Sequence, residues 1–270
     1  LNYGAQKLLF IYGAKEHLTR NGFTNVDRYL LTPEGDPYVE HGDDIYVITE
    51  WVEGRECDFR NHGEIIKAAS TLAKLHEASK GYEMLDGAKL KSDLGRWHHL
   101  MMKRRDGLKK MKSIAENKLD KSDFDRLFID NVDLYVGIAN EAIDTLERSK
   151  YDDVVNRTLE EKSFCHHDYT YHNIILDKQD NYYVIDFDYC KYEVRSYDIT
   201  SFLIKVLKRN EWNFELAREI LNEYNSVSPI IEDENMVMQA FLKFPQRLWR
   251  LANRYYYNES NWPDNTFQRK

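Results

Sequence analysis

Phe164-Cys-His-His-Asp-Tyr-Thr-Tyr-His-Asn173, followed after a short gap by Tyr183-Val-Ile-Asp-Phe-Asp188, is the stretch from which the rest of the chain is read. It carries an aspartate, an asparagine five residues on, and a second aspartate thirteen residues after that. Phosphoryl transfer asks little covalent chemistry of a protein. It needs an oriented nucleophile and divalent metal over the phosphate oxygens. Asp168 is of the right type to accept the proton of an attacking hydroxyl. Asn173 and Asp186 are hard oxygen donors of the kind Mg²⁺ takes, with phosphate and water completing its octahedron.

The flanking residues read as a hairpin. Ile174-Ile-Leu176 and Tyr182-Tyr-Val-Ile185 are short apolar runs on either side of the polar Asp177-Lys-Gln-Asp-Asn181. Antiparallel pairing of two such strands brings Asn173, at the start of one, and Asp186, at the end of the other, to the same end of the ribbon. A single aspartate in a turn usually makes only local hydrogen bonds. The inference rests on the ordered set with a hairpin between its members.

These residues carry a family resemblance. The protein-kinase catalytic loop also places Asp and Asn five apart, with a metal-binding Asp beyond a hairpin. The His-His-Asp form here, with Ile185-Asp-Phe187, resembles the aminoglycoside phosphotransferase and choline kinase branch. Asn21-Gly-Phe-Thr-Asn-Val-Asp-Arg28, Trp51-Val-Glu-Gly-Arg-Glu-Cys57 and Phe244-Pro-Gln-Arg-Leu-Trp-Arg-Leu-Ala-Asn-Arg-Tyr-Tyr256 are similar to the CotS-type spore coat proteins of endospore-forming bacteria. The resemblance implies an α+β, protein-kinase-like, two-lobed fold with a mostly helical carboxy-terminal lobe. It implies a partial amino-terminal lobe over residues 1–53 and a carboxy-terminal lobe over 54–270, Gly54 marking the boundary. It implies Mg²⁺ and ATP as cofactors, with the backbone of Glu50, Trp51 and Val52 facing adenine. It also implies a small-molecule hydroxyl acceptor or other spore coat proteins as partners, and synthesis in the cytoplasm followed by residence in the spore coat. A catalytically vestigial structural component of the coat is the alternative.

In the resembling fold the first helix, which ends at Asn21-Gly22, supplies a glutamate that orients a lysine. That lysine and the glycine-rich loop over the phosphates would lie ahead of residue 1. Glu16 is the only acid on this helix and sits near its end, as a surface charge would. Asp198 is expected to brace the catalytic loop and cap the helix after it. His167 is expected to brace the same loop through hydrogen bonds. Asp188 is open between a second metal ligand and a solvent-facing carboxylate. His76 closes the apolar stripe Ile65, Ala69, Leu72, Ala73 and reads as a core histidine.

Composition is consistent with this. The chain has 270 residues, 42 % hydrophobic and 31 % charged, in the range of globular proteins. The net charge of −8 argues against a general nucleic-acid binder. No apolar run approaches the roughly 18 residues of a membrane span, and no charged-then-apolar leader opens the sequence. Cys57, Cys165 and Cys190 show no CxxC spacing and read as free thiols in a reducing compartment. The segment 89–121 is basic, with Lys103-Arg-Arg105, Lys109-Lys110 and Lys112, and reads as a solvated helix face. Residues 124–146 form a long helix with Leu127, Phe128, Val132, Tyr135, Ala139, Ala142 and Leu146 inward. Residues 232–257 read as helical, and the tail from Trp262-Pro263 as loosely tied.

Overall fold

The computed structural model describes residues 3–90, 92–257 and 266–267, so the tail from Trp262-Pro263 to residue 265 lies outside the described residues. In chain order the first elements are α1 (Ala5–Arg20), β1 (Val39–His41), β2 (Asp44–Tyr46), β3 (Arg55–Glu56) and α2 (His62–Ser79). Then come α3 (Trp97–Glu116), α4 (Asp123–Glu147), α5 (Tyr151–Glu161), β4 (Ile174–Leu176) and β5 (Tyr182–Val184). The last are α6 (Arg195–Leu207), α7 (Phe214–Val227), α8 (Glu232–Lys243) and α9 (Gln246–Tyr256). The fold is α+β and mostly helical. Packing divides it into two compact units, residues 1–94 with 152–232, and residues 95–151 with 233–270. Residue 53, the expected lobe boundary, lies inside the first unit.

In the first unit α1 buries Leu8, Ile11, Ala14, Lys15 and Leu18, the i, i+3, i+7 stripe of an amphipathic helix. Its end is a Schellman motif. Gly22, at φ 86°, lets its N–H reach the Thr19 carbonyl at 3.1 Å while the Phe23 N–H reaches the Leu18 carbonyl at 2.9 Å. Lys15 is the exception in the stripe. Its buried ammonium pairs with Asp27 Oδ1 at 2.8 Å and the Asp27 carbonyl at 2.8 Å. Burial raises the Asp27 carboxyl above its ordinary range, and the Lys15 charge opposes that rise. α1 is tied to the end of α2 by Asn21 Nδ2, which donates to the Ala78 carbonyl at 2.9 Å.

The hairpin read from the sequence is present. Ile174 pairs with Val184 and Leu176 with Tyr182, and β3 adds an antiparallel edge with Arg55 opposite Leu176. Residue 54 must be glycine for this edge to close, because a Cβ there would stand 2.3 Å from the Leu176 carbonyl oxygen. Residues 26–31 and 45–52 carry little regular strand, β2 taking in only Ile45 and Tyr46 of the second stretch. Only isolated bridges, Val26 to Val184 and Tyr29 to Thr49, accompany the β1–β2 hairpin. α2 is capped by Asn61, whose side chain accepts the Glu64 N–H at 3.2 Å, and it buries Ile65, Ala69, Leu72, Ala73 and His76 as expected.

In the second unit α3, α4 and α9 share a core of Leu108, Met111, Phe124, Phe128, Val132 and Ala252. A capping box of Ser122 and Asp125 starts α4, and Lys118 pairs with the Asp125 carboxylate at 2.9 Å. Much of the basic segment is spent inside the unit: Lys112 pairs with Asp133 at 2.6 Å, Arg105 with Asn140 at 3.1 Å, and Arg104 with Gln246 at 2.8 Å. Two expectations are corrected here. Leu127 is 50 % exposed, because the buried stripe runs through Phe124, Phe128 and Val132, and Leu127 falls about 100° away from it. The helix over 232–257 is two helices, broken where Pro245 cannot donate an N–H to a helical bond.

Candidate functional site

The catalytic loop runs from the end of α5 into β4, and the first turn of α6 holds it. Asp198 is fully buried and accepts the backbone N–H of His166 at 2.8 Å and of His167 at 3.0 Å. His76 Nε2 sits 3.3 Å from the same carboxylate, and its Nδ1 is 2.7 Å from the Tyr224 hydroxyl. Burial alone would raise the Asp198 carboxyl. The hydrogen bond from His76 and the charges of the surrounding imidazoles outweigh that and hold it at about 2. His76 is therefore the core histidine that its place on α2 suggests. The brace is as expected, but the cap is not: α6 has Val194 at its N-cap, and Asp198 lies one turn inside.

The His166 imidazole braces the loop from within. His166 Nε2 donates to the Ile185 carbonyl at 3.0 Å, and its Nδ1 then accepts the Asp168 N–H at 3.3 Å. Burial pushes this ring's pKa down and favours the neutral form those two bonds require. His167, at φ 69°, instead stacks on Tyr197 with ring centroids 4.1 Å apart. The alternation of facing sides along the loop separates the two neighbours.

Asp168 follows. Its Oδ1 accepts from Lys205 Nζ at 3.0 Å, and the same ammonium donates to the Tyr169 carbonyl at 2.9 Å. Asn173 is buried and turns its Nδ2 back to the Asp168 carbonyl at 3.0 Å, which leaves its Oδ1 as a donor to a cation. The Ile185 N–H donates to the Asn173 carbonyl at 3.0 Å, continuing the β4–β5 ladder by one rung. Asp186, the next residue, is therefore delivered to the end of the hairpin where Asn173 starts. Its backbone is left-handed (φ 61°, ψ 68°), a conformation aspartate tolerates better than most residues. Among the described residues its exposed carboxylate is engaged only by the Asp188 N–H, at 3.4 Å. Asn173 and Asp186 thus share one end of the ribbon, and the Asp168 carbonyl is bonded to Asn173 there. Asp188, left open by the sequence, takes the Tyr3 hydroxyl at 2.6 Å.

Glu50, Trp51 and Val52 lie elsewhere. They line a cavity of about 590 Å³ with Val26, Tyr183 and the hairpin turn at Asp177 to Gln179. Trp51 is 90 % exposed. Glu16 is bound bidentately to Arg28, at 3.0 and 2.8 Å, and does not face the loop. Lys205 was not anticipated. Its signal was present in the sequence: it follows Asp198 by seven residues, two helical turns, so both side chains share the face of α6 that meets the catalytic loop.

Comparison with known proteins shows the family and the fold. Residues 3–270 match the family described as "Spore coat putative kinase YutH". Spore coat protein S of Bacillus subtilis is 26 % identical over 264 residues, which cover 97 % of this chain and 74 % of that protein. The crystal structure of an aminoglycoside phosphotransferase from Alicyclobacillus acidocaldarius superposes with a TM-score of 0.81 at 27 % identity, over 96 % of this chain and 75 % of that one. A spectinomycin phosphotransferase, solved with ADP and spectinomycin, superposes with a TM-score of 0.64 at 14 % identity, over 98 % and 78 % of the two chains. The resemblance to spore coat proteins and to aminoglycoside phosphotransferases, and the kinase-like fold it implies, are borne out. Among the described residues no helix is long and apolar enough to cross a membrane.

Proposed function

The chain belongs to the YutH family of spore coat proteins with a kinase-like fold, and on that premise we propose that it binds Mg-ATP and transfers the terminal phosphoryl to a hydroxyl acceptor at the spore coat. The observation that supports this reading is the hairpin register that brings Asn173 and Asp186 to one end of the ribbon, where Asn173 Nδ2 donates to the Asp168 carbonyl at 3.0 Å. The donor set fits a magnesium ion: an amide oxygen whose own N–H₂ is turned away, and a carboxylate with one long hydrogen bond. Such an ion, when bound, neutralises charge on the β- and γ-phosphates. Asn173 and Asp186 would hold it.

The chain's own groups divide the remaining work. Asp168 offers Oδ2 to the acceptor hydroxyl, since Oδ1 is engaged by Lys205. His166 and Asp198 fix the backbone on which that carboxylate is carried. The hinge backbone at Glu50 to Val52 lies beside the turn end of the hairpin, and the metal-binding pair lies at the other. At about 3.3 Å per residue, three-residue strands separate those ends by about 10 Å, a span suited to a nucleotide lying along the ribbon with adenine at the turn end. The ADP in the spectinomycin phosphotransferase supports nucleotide as the ligand class.

A second reading has its own observation. The one glutamate of α1, Glu16, is committed to Arg28 and does not serve as the orienting acid of a kinase-like fold. That favours a coat component in which the fold is kept and transfer is vestigial. Isothermal titration of Mg-ATP into the full-length protein, with wild type beside Asp186→Ala, decides between them. We expect binding by the wild type and loss of at least about tenfold in the variant. Wild type that binds no nucleotide refutes transfer and leaves the structural reading. Equal binding by both refutes the metal assignment. A fluorescent fusion in sporulating cells is expected to ring the forespore; diffuse signal refutes coat residence.

A further inference from the structure

Lys205, in the last turn of α6, and Arg209, two residues beyond its end, both meet the catalytic loop. Lys205 Nζ holds Asp168 Oδ1 and the Tyr169 carbonyl, and an ammonium has a third N–H to give. Arg209 lies with its guanidinium carbon 4.1 Å from the centroid of the Tyr171 ring, three residues along the same loop. Stacking on the aromatic face fixes the plane of the guanidinium without using its N–H donors. Arg209 is exposed and, among the described residues, has no carboxylate partner.

A cavity of about 380 Å³ opens beside it, lined by Arg60, His62, Arg209 and Asn210 on one hand and Glu211, Glu215 and Glu219 on the other. Two of these glutamates are already paired, Glu219 with His62 at 2.6 Å and Glu215 with Arg218. Asp58, two residues before Arg60, spends its carboxylate on the Arg60 backbone N–H at 2.9 Å. Asn210 fixes the neighbouring segment by donating to the Phe59 carbonyl at 2.7 Å, and Phe59 packs edge-on against Tyr171. Two arginine forks therefore line a recess whose wall is continuous with the loop that carries Asp168.

Resting on the phosphotransfer reading, we propose that the acceptor is an alcohol bearing a phosphate group, held by Arg209 and Arg60 with its hydroxyl beside Asp168 and Lys205. Guanidinium groups take phosphate bidentately, and a cationic amine at the same place would meet like charge from Lys205 and Arg209. In the step itself the acceptor oxygen forms a bond to the γ-phosphorus as the bond from that phosphorus to the bridging oxygen breaks. The electron pair leaves with ADP, and the hydroxyl proton passes to Asp168 Oδ2. Lys205 is a positioning residue for the Asp168 carboxylate.

Calorimetric titration of the full-length protein without nucleotide, using glycerol 3-phosphate, glycerol, 1-amino-2-propanol and inorganic phosphate as probes, tests the assignment. Glycerol 3-phosphate is expected to bind at least about tenfold more tightly than any other probe. Arg209→Ala should abolish that advantage and Arg209→Lys should keep part of it, each variant first shown folded by its thermal melt. The proposal is overturned if the amino alcohol binds as tightly as the phosphate ester, if inorganic phosphate does so, if no probe binds, or if Arg209→Ala leaves the preference intact. Because no ATP is present, the outcome stands apart from the Asp186→Ala titration. Nucleotide binding without charge preference sinks this inference alone, and charge preference without nucleotide binding sinks the transfer reading and leaves a phosphate-ester site that is no acceptor site.

Discussion

Replacing Asp198 by asparagine should destabilise the protein in a way that depends on pH. The carboxylate is fully buried, accepts two backbone N–H bonds from the catalytic loop and contacts His76. Asparagine keeps one acceptor oxygen but loses the charge, and its N–H₂ confronts either the loop donors or the imidazole. Breaking such a buried, charge-assisted set costs about 3 kcal/mol at neutral pH. The pH term follows from the carboxyl's value of about 2 in the fold against an ordinary 3.8. A depressed carboxyl contributes stability that is present above the unfolded value and is lost as pH falls through the folded one. That contribution is about 2 kcal/mol, with about 1 kcal/mol gone by pH 3. Urea unfolding of wild type and Asp198→Asn at pH 7, 5, 4 and 3 should show a gap that is constant down to about pH 5 and narrows below it. A gap under about 1 kcal/mol at pH 7, or one that does not narrow toward pH 3, refutes the reasoning.

Gly54→Ala should cost about 2–3 kcal/mol in the same assay, since the added methyl meets the Leu176 carbonyl oxygen and Ile175 Cγ2, at 2.3 and 2.7 Å, and backbone must move; a loss below about 0.5 kcal/mol would show that the β3–β4 edge yields freely. The thiols should be silent toward an aromatic disulfide reagent in the native state and all three should react once unfolded, because burial pushes Cys57 up to about 12 and raises Cys165 and Cys190 well above the usual thiol range. Fast reaction of any one in folded protein would refute that burial.

What the sequence disclosed and what it withheld divide along contact range. The β4–β5 hairpin was legible because strand residues and turn residues are neighbours, and the register of Ile174 with Val184 follows from a five-residue polar loop. The α2 stripe that ends in His76 was legible from period alone. Lys205 was not, because its meeting with Asp168 joins residues 37 apart on different elements. The bonds made by the His166 ring were not legible: adjacent imidazoles in an irregular loop point to different sides, and nothing periodic says which points in. The inward reading of Leu127 failed because hydrophobicity was allowed to outrank helical phase. Pro245 was visible in the sequence, and its breaking of the helix was the local signal left unused. The aminoglycoside phosphotransferase-like fold came from family resemblance rather than from patterning, which alone yields helices and a hairpin but not their arrangement.

The pairing of Lys15 with Asp27 also constrains how this protein can change over generations. Each member is tolerated in the interior because of the other, and loss of either alone leaves a bare charge among Tyr29 and Phe187. Drift at these two positions should therefore be concerted: descendants will retain both, swap both for apolar residues, or exchange their signs, and single departures will be purged as misfolded intermediates.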